Sequence, residues 1–217
     1  MKKNFIFVVF LAISSIFIFG SCSPKVSVAA ENGDSVKIGF STSFPEETAK
    51  ALRKMTGASD DIPIFAETDI KNLLSQVGTG STKISIPTPN ELESSGEIKN
   101  ISTNVLSACK IVSKKGNSLS ISIGPEQFKN FYDLLSDEFK SYFDLMMIPS
   151  LIDEKMTPSE YEELLSSMYG PSFAKDIVSG TLEISLSSPD NTKNVKDSVK
   201  LGEILTAQES KTWSVNW

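Results

Sequence analysis

The chain has 217 residues, 40% of them hydrophobic, with 21 Lys and Arg against 27 Asp and Glu for a formal net charge of −6, a composition able to build one real hydrophobic core. It contains no histidine, which removes Ser-His-Asp and Cys-His nucleophile systems, His-ligated zinc and any histidine pH switch. An acidic chain without a dense basic patch is also a poor partner for phosphate backbones, so nucleic acid is excluded as a ligand.

The first 22 residues, MKKNFIFVVFLAISSIFIFGSC, set Lys2 and Lys3 before an apolar run from Phe5 to Phe19, followed by Gly20, Ser21 and Cys22. This is the layout of a secretory signal, and its roughly 15 apolar residues fall short of the roughly 20 that a membrane-spanning helix needs. The tetrad Phe19-Gly20-Ser21-Cys22 resembles the lipobox of bacterial lipoproteins, with Phe19 in place of the usual Leu and Gly20 in place of the usual Ala or Ser. The resemblance covers this leader alone. It implies a signal peptide over residues 1–21, a diacylglyceryl thioether on Cys22 and acylation of the new amino terminus, which makes a membrane the first partner. Two or more acyl chains anchor stably, whereas one binds marginally. Plain secretion with cleavage nearby and an uncleaved anchor are the other readings of the segment. By the same family's sorting tendency, Ser23 after the cysteine favours the outer membrane of a two-membrane cell envelope. Loss of Lys2 and Lys3 leaves 19 basic residues against 27 acidic ones, a charge of −8.

Residues 22–34 are small and polar without a sustained period and read as a tether reaching about 20 Å. A single domain is expected over residues 35–217. Val36, Ile38 and Phe40 alternate as in a half-buried strand, and Ser43-Phe44-Pro45-Glu46 opens a helix that stops at Gly57. A second helix from about Thr68 carries Ile70, Leu73, Leu74 and Val77 to a stop at Gly78, and Lys83–Pro87 reads as a short strand. Residues 88–97, TPNELESSGE, look like an exposed loop. Alternating runs from Asn104 to Ser113 and from Ser118 to Ile123 flank Lys114-Lys115-Gly116-Asn117, a hairpin turn. In the first run Cys109 shares the parity of Val105 and Ile111, which predicts a small buried hydrophobe rather than a reactive thiol.

The period then becomes helical over about residues 125–179. Phe128, Phe131, Tyr132, Leu135, Phe139, Tyr142, Phe143 and Met146 recur three or four apart on one face. Core packing is the first reading of this face, and an apolar pocket for a lipid-like or peptide ligand is the functional one. A membrane-surface helix fits less well, since Glu126–Asp144 holds five acids against two lysines. Thr157-Pro158-Ser159-Glu160 is a capping box with proline at the first helical position, and Gly170-Pro171 ends that helix before a shorter one through Phe173 and Ile177. Strands return at Thr181–Leu186, Ser198–Thr206 and Lys211–Trp217. The pattern predicts an α+β domain: an antiparallel sheet with a helical insertion packed on one face.

No catalytic or cofactor motif stands out. Gly78-Thr79-Gly80-Ser81-Thr82-Lys83 has phosphate-loop residues in the wrong order and leaves a helix instead of opening one. Ser172-Phe173-Ala174-Lys175 resembles the Ser-x-x-Lys of penicillin-binding enzymes, but their Lys-Thr-Gly appears only as Lys211-Thr212-Trp213. Asp60-Asp61, Asp153-Glu154 and Glu162-Glu163 lack the ligand alternation of a calcium loop and read as solvated acids. Neither cofactor nor metal is expected. The chain is expected to be a lipid-anchored envelope protein, most simply a non-enzymatic binding or assembly module. Its partner would be an envelope protein or an apolar ligand. A carrier of apolar ligands and an envelope hydrolase using Ser/Lys or carboxylates are the alternatives.

Overall fold

The computed structural model describes residues 24–56, 59, 62–134, 140, 144 and 146–217. In chain order its strands are β1 (Lys25–Ala30), β2 (Val36–Ser43), β3 (Gly80–Ser85), β4 (Glu91–Ile98), β5 (Val112–Lys115), β6 (Ser118–Ile123), β7 (Thr181–Ser187), β8 (Asn194–Lys200) and β9 (Lys211–Asn216). Its helices are α1 (Glu46–Thr56), α2 (Glu67–Gln76), α3 (Val105–Ala108), α4 (Pro125–Asp133), α5 (Pro158–Tyr169), α6 (Pro171–Ser179) and α7 (Leu201–Leu205). The class is α+β. A six-stranded sheet runs β3-β4-β2-β1-β7-β8 and a three-stranded one runs β5-β6-β9. Among the described residues all pairings are antiparallel except β1 with β7, so the large sheet is mixed instead of purely antiparallel.

Local chemistry explains the best-marked elements. At the start of α5 the Thr157 N–H donates to Glu160 Oε2 at 2.7 Å and Thr157 Oγ1 accepts from the Glu160 N–H at 3.3 Å, which satisfies two donors that the first helical turn leaves open. Pro158 follows the cap, where its missing N–H costs nothing. The β5–β6 hairpin turns through Gly116 at φ 56°, a conformation that a side chain disfavours.

Four expectations need correction. The tether expected over residues 22–34 does not hold from Lys25 on: Lys25–Ala30 is β1, an interior strand of the large sheet, and the folded part begins before Ser35. Val28 and Ala30 are buried on one side of it, and their small size between serine and alanine hides the period. The 88–97 segment is not a loop, because Leu92, Gly96 and Ile98 turn inward on β4 with Glu and Ser between them. Asn104 does not open a strand. Its side chain accepts from the Leu106 N–H at 2.9 Å and caps the short α3, so β5 starts only at Val112. Ser198–Thr206 divides between the end of β8 and α7.

The inward side of the large sheet supplies Val28, Ala30, Val36, Leu92, Ile98, Leu182, Ile184 and Leu186 to one continuous core, which they share with Leu119, Ile121 and Trp213 of the small sheet and with Leu52, Tyr161, Leu165, Phe173 and Ile177 of the helices. Each such aliphatic or aromatic side chain contributes roughly 1.5–3 kcal/mol when fully buried. Helix α6 packs against α1, α5 and α7, and the Thr48 hydroxyl donates to the Asp176 carboxylate between α1 and α6.

Candidate binding face

A strand's side chains alternate between faces, so with one face of the large sheet buried the other is written at every second position. On β1 these are Lys25, Ser27 and Ala29; on β2, Lys37, Gly39, Ser41 and Ser43; on β7, Thr181, Glu183, Ser185 and Ser187. The register carries the alternation across the sheet. One row pairs Lys83–Ser95–Gly39–Ser27–Ser185–Lys196, and the next pairs Ser85–Glu93–Ser41–Lys25–Glu183–Ser198. Both rows lie in a concavity of about 1060 Å³, and every residue lining it belongs to one of the six strands. None of its outward side chains is aromatic or a large aliphatic.

Charge on this face is partly neutralised. Lys25 and Glu183 pair at 3.1 Å across the parallel junction, and Lys37 pairs with Glu31 at 2.7 Å, a hydrogen bond that raises the Lys37 pKa. Lys83 and Lys196, at opposite ends of the first row, have no ion-pair partner among the described residues. The floor is tight at its centre: a Cβ on Gly39 would stand 2.5 Å from Ser27 Oγ, so glycine lets the two strands' outward atoms lie close. Serine hydroxyls both donate and accept, and ammonium groups donate only. The face can therefore hold a polar ligand by hydrogen bonds and fixed charge.

The aromatic face read from the sequence lies elsewhere. Phe128, Phe131 and Met146 are buried in the core. Tyr132 is half-buried, its hydroxyl donating to Asp144 Oδ1 at 2.9 Å with the Lys140 ammonium 5.4 Å from its ring centre. Leu135, Phe139, Tyr142 and Phe143 lie outside the described residues, as do Cys22 and Asp60-Asp61. None of the four described residues lines the concavity or a second, apolar cleft of about 70 Å³ on the covered side of the sheet. That cleft, between α2, the large sheet and the small sheet, is under half the roughly 150 Å³ that accommodates benzene.

Ser172 and Lys175 both sit on exposed positions of α6, and Asp153-Glu154 is exposed in a turn. Among the described residues no group of three or more His, Cys, Asp or Glu could hold a metal. Cys109 is 1% exposed, and burial pushes its thiol pKa up. Sequence reading missed the concave face because it is written in six separate strands; the period-two recurrence of Ser, Lys and Glu in each was the signal. No family model, no curated protein and no solved structure matches this chain.

Proposed function

We propose that this chain is a lipid-anchored cell-envelope protein whose exported domain is a non-enzymatic binding module, and that it binds through the concave outward face of its large sheet. The observation that carries this is the 1060 Å³ concavity lined wholly by strand residues, at the upper end of the size of ligand sites. A sheet of this breadth with one face buried and the other left to hydroxyls and charges is a rigid platform, and rigid platforms lose little entropy on binding.

The anchor rests on Lys2, Lys3, the apolar run to Phe19 and the small residues before Cys22, with the outer membrane favoured where the envelope has two. Only Ser23 and Pro24 separate Cys22 from β1. Three residues extend at most about 10 Å, so lipid on Cys22 would hold the sheet itself at the bilayer surface. A partner reaching this face is then an envelope component.

Two measurements test the proposal. Cells fed labelled palmitate should label the wild-type chain and not Cys22→Ala, and equal labelling of both removes the anchor. Purified full-length protein held in detergent micelles should sediment with membrane-free, detergent-extracted envelope material, and Ser185→Trp, which sets a bulky ring on the floor of the face, should weaken that association. Undiminished association by a folded Ser185→Trp protein removes the face.

A further inference from the structure

The central row of the concave face, Lys83–Ser95–Gly39–Ser27–Ser185–Lys196, takes one residue from each of six strands. At about 4.8 Å per strand, five spacings separate the terminal lysines by about 24 Å along the sheet. Between them lie hydroxyls and one bare stretch of backbone.

The local charge opposes that of the molecule. The two lining rows present Lys25, Lys83 and Lys196 against Glu93 and Glu183, an excess of one positive charge on a chain of net −6. Asp197 also borders the concavity, but its carboxylate turns to the other side of the sheet, where it accepts from Trp213 Nε1 at 2.6 Å. Since Lys25 is held by Glu183, the cations lining the concavity that are free to meet a ligand, among the described residues, are the two at the ends of the row.

The ligand's chemistry follows from what the face lacks as well. With hydroxyls and charged groups as the outward side chains of these rows, a ligand is held chiefly by hydrogen bonds and charge. Peptides are gripped by free strand edges or by pockets for their side chains. Here the register shift between Gly80 and Lys83 interrupts the outer edge of β3, a device that discourages strand addition. Resting on the binding role proposed above, we infer that the ligand is an acidic glycan that crosses the strands, its carboxylates at Lys83 and Lys196 and its hydroxyls on Ser95, Ser27 and Ser185.

The probe is hexagalacturonate, titrated calorimetrically into full-length protein in detergent micelles, with maltohexaose and hexaglutamate as comparisons. Hexagalacturonate should bind, about tenfold tighter than either comparison, and the Lys83→Gln/Lys196→Gln double variant should lose about tenfold in affinity with its circular dichroism unchanged. Affinity should fall severalfold between about 20 and about 200 mM salt, because these ion pairs are exposed. Absence of hexagalacturonate binding, or equal binding by the double variant, overturns the inference; tighter binding of hexaglutamate reassigns the face to acidic peptides and overturns it too. If Ser185→Trp weakens envelope association while hexagalacturonate fails to bind, the ligand class alone is wrong. If Ser185→Trp leaves association intact, the binding face itself is wrong.

Discussion

The indole N–H of Trp213 donates to Asp197 Oδ2 at 2.6 Å, joining the last strand of the small sheet to the edge strand of the large one. Lys211 reinforces the contact, 3.4 Å from the same oxygen and 5.1 Å from the centre of the Trp213 ring. The Trp213 hydrogen bond, helped by the Ser198 N–H, holds the Asp197 pKa below the ordinary carboxylate range. A depressed folded-state pKa contributes stability that is present above the unfolded value, about 3.9, and lost as pH falls through the folded one. Asp197→Ala should therefore lower the melting temperature at pH 7, and the gap from wild type should close below about pH 4. A gap unchanged by acid would show that the carboxylate's charge is not what Trp213 holds.

Lys114 does a comparable job between the sheets with backbone instead of side chains. Its ammonium donates to the carbonyl oxygens of Glu31, Gly33 and Ser35 at 2.5, 2.6 and 3.1 Å, gathering the β1–β2 turn onto β5. Hydrogen bonds to charged groups contribute about 1.5–3 kcal/mol each in isolation, and the three share one donor group. Lys114→Met, which keeps the aliphatic stem, should cost about 2 kcal/mol in urea unfolding with little change in the denaturant slope. A loss below a few tenths of a kcal/mol would mean that water replaces the ammonium without penalty.

Asp69 on α2 is 1% exposed, and its Oδ1 has no hydrogen-bond partner among the described residues. Burial raises its pKa against the opposing hydrogen bond from Thr68. Here the sign reverses: the stability is complete below the unfolded pKa and is lost as pH rises through the folded one. Asp69→Asn should stabilise the protein by about 1 kcal/mol at pH 7, and the gain should vanish near pH 4. Equal stability of variant and wild type across that range would contradict a buried carboxylate with one oxygen unsatisfied.

The Cys109 thiol is buried, with its pKa pushed up by the same desolvation. Thiolate is the reactive form, so native Cys22→Ala protein, with Cys109 as its one thiol, should react with an aromatic disulfide reagent only as fast as it unfolds. Reaction without denaturant at the rate of free cysteine would exclude the burial.

Much of the fold was legible where apolar residues recur without a gap. The Thr157 capping box, the Gly116-Asn117 hairpin and the strict alternation of Leu182, Ile184 and Leu186 each carried a local signal, and each lies where its pattern put it. β4 was illegible because Ser94 and Gly96 occupy inward positions between Leu92 and Ile98, so no run of alternating hydrophobes marks the strand. Asn104–Cys109 misled because two hydrophobes in a single helical turn mimic alternation until the cap is recognised. The binding face could not be found locally at all. Its residues are small, polar and ordinary, and what joins Ser27 to Gly39 and Ser185 is the register of strands that are distant in sequence.

Strand β1 lies between β2, its immediate successor, and β7, from which nearly the whole folded chain divides it. Its first edge closes with a hairpin, but its second waits for Thr181–Ser187, and contacts spanning so much sequence form late because loop closure must be paid first. A chain made or threaded from its amino end therefore holds β3-β4-β2-β1 with the β1 edge open until β7 arrives. The β1 edge is thus a joint that only residues distant in sequence can close.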